Sequence, residues 1–367
     1  MLARVRRLLS KRAVLNRAAI EATLQGLYDE APRRDLSPKD RIVIMSDMHM
    51  GDGSARDDFR HNADLVQKVL RDYYLARGFS LVLNGDIEEL QRFRLPAIRA
   101  QWTDLYTLFG EFQRRTALYK IVGNHDEALH DFGPQEGETV LLDGLRLSFR
   151  GDTVFIFHGH QATIFFERFN DLSGFFLRYG ANALRIHNSS VTYESRKKYR
   201  TEHRVYGFST KRKIVSIIGH THRPLFESLS KIDTLRFRIE QLCQDYTGVS
   251  RRAQAAIKTA IAVYRRELAR LWERDREDGL RSSLYNESIC IPCLFNSGCT
   301  IGKRGVTAIE IADGQIGLIY WFDPTRGEPN AVEEGHSMER LGLTDYHRLV
   351  LKQDKLAHIF SRIHLLA

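Results

Sequence analysis

Cysteine is scarce, with four in 367 residues: Cys243, Cys290, Cys293 and Cys299. So few thiols exclude a disulfide framework in a chain of this length, and a reducing, cytoplasmic setting fits best. Three of them fall as C-x2-C-x5-C, but within the apolar run "SICIPCLFNSGC", where Cys behaves as a small hydrophobe, so a thiolate metal centre is not expected. No apolar run reaches the ~18 residues of a membrane-spanning helix. Internal repeats and low-complexity segments are also missing, which argues against a solenoid or a disordered chain. Acid is missing at the start: Arg4, Arg6, Arg7, Lys11, Arg12 and Arg17 all precede Glu21.

That basic start places Leu2, Val5, Leu8 and Leu9 on one helical face. It has no signal-peptide core or cleavage pattern. A helix packed on the domain is the expectation, with peripheral contact to an anionic membrane or a transit peptide as alternatives. The whole chain carries a formal charge of +9 and a pI near 9.4, which favours anionic partners: phosphates, nucleic acid or acidic lipid. Hydrophobic content of 43% suffices for a large core.

The chemistry lies at five strand ends. "IVIMSDMHMG" (42–51) is an apolar run that stops at Asp47 and His49. "LVLNGD" (81–86) stops at Asp86, and "YKIVGNHD" (119–126) at Asn124, His125 and Asp126. "VFIFHGH" (154–160) ends in His158 and His160, and "IVSIIGHTH" (214–222) in His220 and His222. Short continuous apolar runs suit strands buried on both faces. Helical patterns at 62–77 and 95–115 between the first runs suggest parallel βαβ units. In such sheets ligands bind outside the C-terminal strand edge, so the five clusters should meet at one rim. Gly51, Gly85, Gly123, Gly159 and Gly219 allow sharp turns and close backbone approach there. Imidazole with carboxylate suits Mn²⁺, Zn²⁺ or Fe.

The ordered motifs Asp-x-His, Gly-Asp, Gly-Asn-His-Asp, His-Gly-His and Gly-His-Thr-His resemble those of the calcineurin-like metallophosphoesterase superfamily. The resemblance spans ~41 to 225 and implies an α/β fold, an αββα β-sandwich with a dinuclear metal site, here with helical insertions. It implies hydrolysis of a phosphoester by a hydroxide bridging two metals roughly 3.5–4 Å apart, Mn²⁺ first and Zn²⁺ or Fe as alternatives. Under it, Asp47, His49 and His222 hold one metal, Asp86 bridges, and Asn124, His158 and His220 hold the second. His125 contacts the scissile phosphate and aids the leaving group, with Glu89 orienting it. His160 is not a family ligand and reads as a neighbour of the ligands. The phosphatase pattern Gly-Asp-x-x-Asp-Arg-Gly is absent: the chain reads "GDIEELQ" and "GNHDE", which disfavours a Ser/Thr protein phosphatase. "GHTHRP" (219–224) and the long segment before it are similar to UDP-2,3-diacylglucosamine diphosphatases, although those carry Arg where this chain has His125.

The expected organisation is a basic amphipathic helix over 1–40 and a core over 41–225 carrying an insertion at 161–213. A helical hairpin follows over 226–287, then core strands over 288–325 and a helical tail over 326–367. The first insertion is aromatic in its first half (Phe165, Phe166, Phe169, Phe175, Phe176, Tyr179) and basic in its second, with nine Lys/Arg against two Glu between 185 and 213. Arg196, Lys197, Lys198 and Arg200 are the candidate substrate contacts. In the second, Ile232, Leu235, Ile239, Leu242 and Tyr246 pair in spacing with Ile257, Ile261, Tyr264, Leu268 and Leu271, around a stop at Gly248 and a cap at Ser250. Asp-Gly pairs at 143–144 and 313–314 predict two β-hairpins. The functional expectation is hydrolysis of a phosphodiester or pyrophosphate bond in a small or lipid-linked substrate. A nuclease or nucleotide phosphodiesterase is the alternative. A non-catalytic scaffold is disfavoured, because every ligand type is retained.

Overall fold

The computed structural model describes residues 18–132, 139–163, 191–228, 251–277, 291–326 and 338–367, together with positions 235, 239, 242, 243 and 246. Thirteen strands form two sheets among these residues. The larger has eight strands in the order β12 (Met338–Arg340), β13 (His347–Lys355), β11 (Gln315–Phe322), β10 (Gly305–Ala312), β2 (Arg41–Met45), β3 (Ser80–Asn84), β4 (Leu118–Ile121) and β5 (Leu141–Leu142). The smaller has five: β1 (Arg33–Asp35), β6 (Gly144–Phe149), β7 (Asp152–Phe157), β8 (Val215–Ile218) and β9 (Leu294–Asn296).

Strand β2 shows how the layers arise. Its apolar residues alternate in direction, as strand geometry requires. Ile42 and Ile44 enter a core between the sheets with Val82, Leu147, Ile156, Ile217 and Phe295. Val43 and Met45 point the other way, against Val66, Leu70, Leu105 and Leu108 of the helices that cover the larger sheet. Those helices are α2 (Ala63–Lys68, continuing as a π-helical stretch Val69–Leu75), α3 (Leu95–Gln101) and α4 (Thr103–Arg115). Phe155, Phe157 and Ile218 of the smaller sheet likewise meet Ile20 and Leu24 of α1 (residues 18–30) and Val205 and Phe208 of α5 (Val191–Arg212). Helix, sheet, sheet, helix is the αββα sandwich. The runs β2–β3–β4 and β7–β8–β9 are parallel, so their C-terminal ends share one rim.

Several sequence expectations change. The helix expected over 95–115 breaks at Trp102, whose indole Nε1 turns inward and donates to the Gly51 carbonyl at 2.9 Å. The Asp-Gly signal at 313–314 does join an antiparallel pair, β10 and β11. The one at 143–144 does not. There β5 pairs in parallel with β4, and the chain crosses to the other sheet. β6 finds its antiparallel partner in β7, through Arg150 and Gly151, both left-handed (φ 53° and 92°). The helical tail expected over 326–367 is only partly helical. Its Leu, Lys, Arg and Gln content favours helix. Pairing with β11 prevails, however, and makes 347–355 a strand before α7 (Leu356–Leu366). Of the expected hairpin, α6 (Arg251–Glu277) is present, while most of its first helix, Gly248 and Ser250 lie outside the described residues. Residues 1–17 and the aromatic half of the first insertion also lie outside them. No helix among the described residues is long and apolar enough to cross a membrane.

Helix α7 closes one end of the inter-sheet core with Leu356, Ile359, Phe360 and Ile363, and the Phe360 ring stacks on Phe149 at 6.5 Å. Truncating Phe360 to Ala should therefore destabilise the protein by about 3–5 kcal/mol in denaturant unfolding. Leu365→Ala, at a position 83% exposed, should be nearly silent. Equal, negligible effects would show the tail to be an appendage.

Candidate metal centre

All five polar clusters follow the strands of the shared rim. Asp47 and His49 leave β2, Asp86 leaves β3, and Asn124 and His125 leave β4. His158 leaves β7, and His220 and His222 leave β8. The loops after β2 and β3 are laced together: Asp47 N–H donates to Gly85 O at 3.0 Å and His49 N–H to Asp86 O at 2.9 Å. Asp126 ties in the third loop, accepting from Gly123 N–H at 2.6 Å and Ile87 N–H at 2.7 Å.

Two groups of potential ligand atoms result, Asp47–His49–His222 and Asp86–His158–His220, the atoms within each lying within 4.8 Å of one another. His222 Nε2 sits 3.1 Å from Asp47 Oδ1 and 3.1 Å from His49 Nε2. His158 Nε2 sits 3.1 Å from Asp86 Oδ2 but lacks the alignment of a hydrogen bond. The ring orientations are set from behind. His158 Nδ1 donates to the Asn84 carbonyl at 2.8 Å, which points Nε2 into the site. His49 Nδ1 donates to Glu89 at 2.9 Å, leaving its Nε2 for the site. Nitrogen and oxygen atoms converging at such spacing suit a cation: ligands ~2.0–2.2 Å from one ion lie roughly 3.0–3.4 Å from each other. The buried Asn124 Oδ1, also without a hydrogen-bond partner, fits the same need. The donor set thus fits hard-to-borderline divalent ions.

Backbone strain marks the same residues. Ten non-glycine residues among those described adopt a left-handed φ, and five of them are Asp47, His49, Asp86, His220 and His222. Each such conformation costs of order 1–3 kcal/mol and persists only where the surroundings over-determine it.

The electrostatics point the same way. Burial raises the Asp86 carboxyl, but His158, His125 and His49 outweigh it and hold it well below the usual range. Burial lowers His158, yet Asp86 and Asp47 push it up to about 10. His220 moves oppositely, down to about 3, through burial and the neighbouring His158. The pocket therefore demands positive charge, which a proton on one imidazole meets only in part.

A third group, His49–Glu89–His125, is of another kind. The buried Glu89 carboxylate accepts from Nδ1 of both histidines at 2.9 Å, so it is their common support. Burial opposes its ionisation, but His125 and His49 hold it down to about 2. His125 is about a quarter exposed, and Asp86 and Glu89 overcome burial to push it up to about 9. His160 lies beside the groups, its ring 5.5 Å from His158 and 6.3 Å from His220.

Of the candidate substrate contacts, Lys198 is half-buried and Arg200 exposed on α5, and the side chains of Arg196 and Lys197 lie outside the described residues. The Cys299 thiol is pushed up to about 11 by burial and then by Asp47. A cavity of about 590 Å³ between α4 and β4–β5, lined largely by apolar residues such as Leu83, Phe109, Leu118 and Leu129, includes none of the candidate ligands.

Reading the sequence alone missed the second bond of Glu89, the stapling by Asp126, and Asn296, whose Nδ2 donates to Gly219 O at 2.9 Å. Asp126 carried a partial signal, since Asp side chains in turns accept from nearby backbone N–H groups. Asn296 carried none.

These elements define an α/β sandwich with clustered Asp and His at its rim, a candidate metal-dependent hydrolase centre. Residues 40–224 match the model of the calcineurin-like phosphoesterase family, and the chain belongs to that family. Its common chemistry is metal-dependent phosphoester hydrolysis. No curated protein matches the sequence. Among solved structures, a single-mutant Vps29 from Entamoeba histolytica aligns over 77% of this chain and 92% of its own, at 9% identity and a TM-score of 0.32, a likeness too slight to bear on function.

A Cβ at Gly219 would stand 2.6 Å from Asp47 Oδ2. Gly219→Ala should accordingly lower Mn²⁺ affinity by roughly tenfold or more in calorimetric titration. Gly207→Ala, with open space around it, is the control and should bind as wild type does.

Proposed function

We propose that this protein hydrolyses a phosphodiester bond with two divalent ions, Mn²⁺ before Zn²⁺ or Fe. Asp47, His49 and His222 hold one ion, Asn124, His158 and His220 the other, and Asp86 lies between them. The observation that carries the reading is the convergence of both ligand groups on Asp86, with His49 Nε2 3.9 Å and His158 Nε2 3.1 Å from the same Oδ2. When bound, the ions supply Lewis acidity toward the phosphate oxygens and a water acidified to near neutral pKa.

The protein's own residues do the rest. His125, partly exposed and held through Nδ1 by Glu89, is placed to give a proton to the departing oxygen. An Arg at this position would stabilise charge but could not release a proton, because it stays protonated. His125 therefore suits a leaving group that needs a proton, an alkoxide more than a phosphate. For that reason we place a diester ahead of a diphosphate as substrate. The similarity of "GHTHRP" to UDP-2,3-diacylglucosamine diphosphatases supports a small or lipid-linked phosphate compound. The basic α5 beside the rim supports an anionic one, with Lys198 and Arg200, and Arg196 and Lys197 before them, as its contacts.

Hydrolysis of a panel with added Mn²⁺ tests this: an alkyl diester, bis-p-nitrophenyl phosphate, a UDP-linked lipid and single-stranded DNA. Preference for the alkyl or aryl diester is expected. Preference for the UDP-lipid would move the assignment to diphosphates, and preference for DNA, with affinity falling steeply in salt, to a nuclease. Metal analysis should find close to two ions per chain; Asp86→Ala should lose both, and Asp47→Ala mainly one. A metal-free active protein would end the proposal.

His125→Ala should keep both ions and lower turnover of the alkyl diester ~10²-fold or more, the usual contribution of a positioned acid. The p-nitrophenyl ester, whose leaving group needs little protonation, should suffer much less. Equal losses on both substrates would remove His125 from the proton-transfer role.

A further inference from the structure

Glu202 sits in the most basic part of the chain, on α5, yet its carboxylate is fully buried. It accepts from the Thr221 hydroxyl at 2.8 Å and from Arg223 through Nε at 3.2 Å and Nη2 at 2.5 Å. Thr221 is the residue between His220 and His222, and it is itself buried. Both flanking histidines are strained, with φ of 62° and 54°. Asn296, the last residue of β9 and paired with Ile218, grips the same turn. Its Nδ2 donates to Thr221 Oγ1 at 2.8 Å and to Gly219 O at 2.9 Å.

The hydrogen-bond directions are fixed by chemistry. An amide N–H can only donate, so Thr221 Oγ1 accepts from Asn296 and gives its own hydrogen to Glu202. The turn is thereby gripped from two sides, by the core sheet and by the insertion helix. A left-handed turn of non-glycine residues relaxes unless something holds it. Here the holder on one side belongs to the insertion.

We infer that Glu202 is a positioning residue: through Thr221 and Arg223 it sets the His220–Thr221–His222 turn, and so makes the insertion helix part of the metal centre. The inference rests on the assignment of His220 and His222 as ligands. It gives this segment a role besides the substrate contacts expected of it.

The test is Mn²⁺ titration of metal-stripped protein by calorimetry, with folding of each variant confirmed by circular dichroism. Thr221→Val removes only the hydroxyl and leaves the Glu202–Arg223 pair in place. It should weaken Mn²⁺ binding about 10- to 100-fold, the usual effect of losing a group that orients ligands. Thr221→Ser, which keeps the hydroxyl, should restore binding. Glu202→Gln should fall between wild type and Thr221→Val, and raised Mn²⁺ should recover its diester hydrolysis. If Glu202→Gln does not fold, Glu202→Asp, which shortens the reach to Thr221 and leaves the Asn296 bond intact, takes its place. Wild-type affinity in folded Thr221→Val, or failure of Ser to restore it, would overturn the role of Glu202. A wild type that itself binds no Mn²⁺ would instead overturn the ligand assignment, so the two failures are distinct.

Discussion

The structure turns on one buried carboxylate. Asp86 is 1% exposed at the end of the central strand β3, and elements of both sheets are arranged around it. Its Oδ1 accepts the backbone N–H of His125 at 2.8 Å, which fixes the loop after β4. Its Oδ2 faces imidazoles delivered by the larger sheet through His49 and by the smaller through His158. A Cβ on Gly123 would collide with Oδ1, so that loop closes only with glycine there. A lone buried carboxylate is very costly. The imidazoles compensate it in part, and a divalent ion would compensate it far better. The sandwich therefore supplies more than a scaffold: two sheets must face each other for their strand ends to surround one anion.

That dependence explains which parts of the site were legible in the sequence. Ligand types at strand ends are a local signal, because each apolar run stops where its chain enters the rim. The supports are not local. Asn296 reaches Thr221 across 75 positions and Glu202 reaches it across 19, and no pattern near Thr221 announces either. Glu89 lies between these cases. Its place three residues after Asp86 marked it as a partner for His125, but only the fold shows that the same carboxylate also holds His49.

The fold shows the same division. Strands covered on both faces were plain, since short β-branched apolar runs such as "IVIM" that stop at polar residues suit a buried strand. Local turn chemistry was less decisive. Asp-Gly permits the left-handed geometry of a hairpin but does not choose the partner strand. At 313–314 the flanking runs are long enough to pair over eight positions. At 143–144 the first run is only two residues, and β4 captures it before β6 can. In the tail, "HRLVLKQDK" is a good helix by propensity, and it becomes a strand because the edge of β11 needs a partner.

Strain and charge at the rim lead to a last step. Asp47, Asp86 and Glu89 are all buried, each grouped with two histidines. Five of the candidate ligands hold unfavourable backbone angles. Neither feature by itself lowers the energy of the folded chain. Both are affordable only because the sandwich core is large and continuous on either side of each sheet. The cost is located where bound cations would repay it, since an ion that binds only the folded state stabilises that state by mass action. α5 is joined to the His220–Thr221–His222 turn through the buried Glu202. If His220 and His222 are ligands as proposed, a displacement of α5 would reach the metal centre through Glu202 and Thr221.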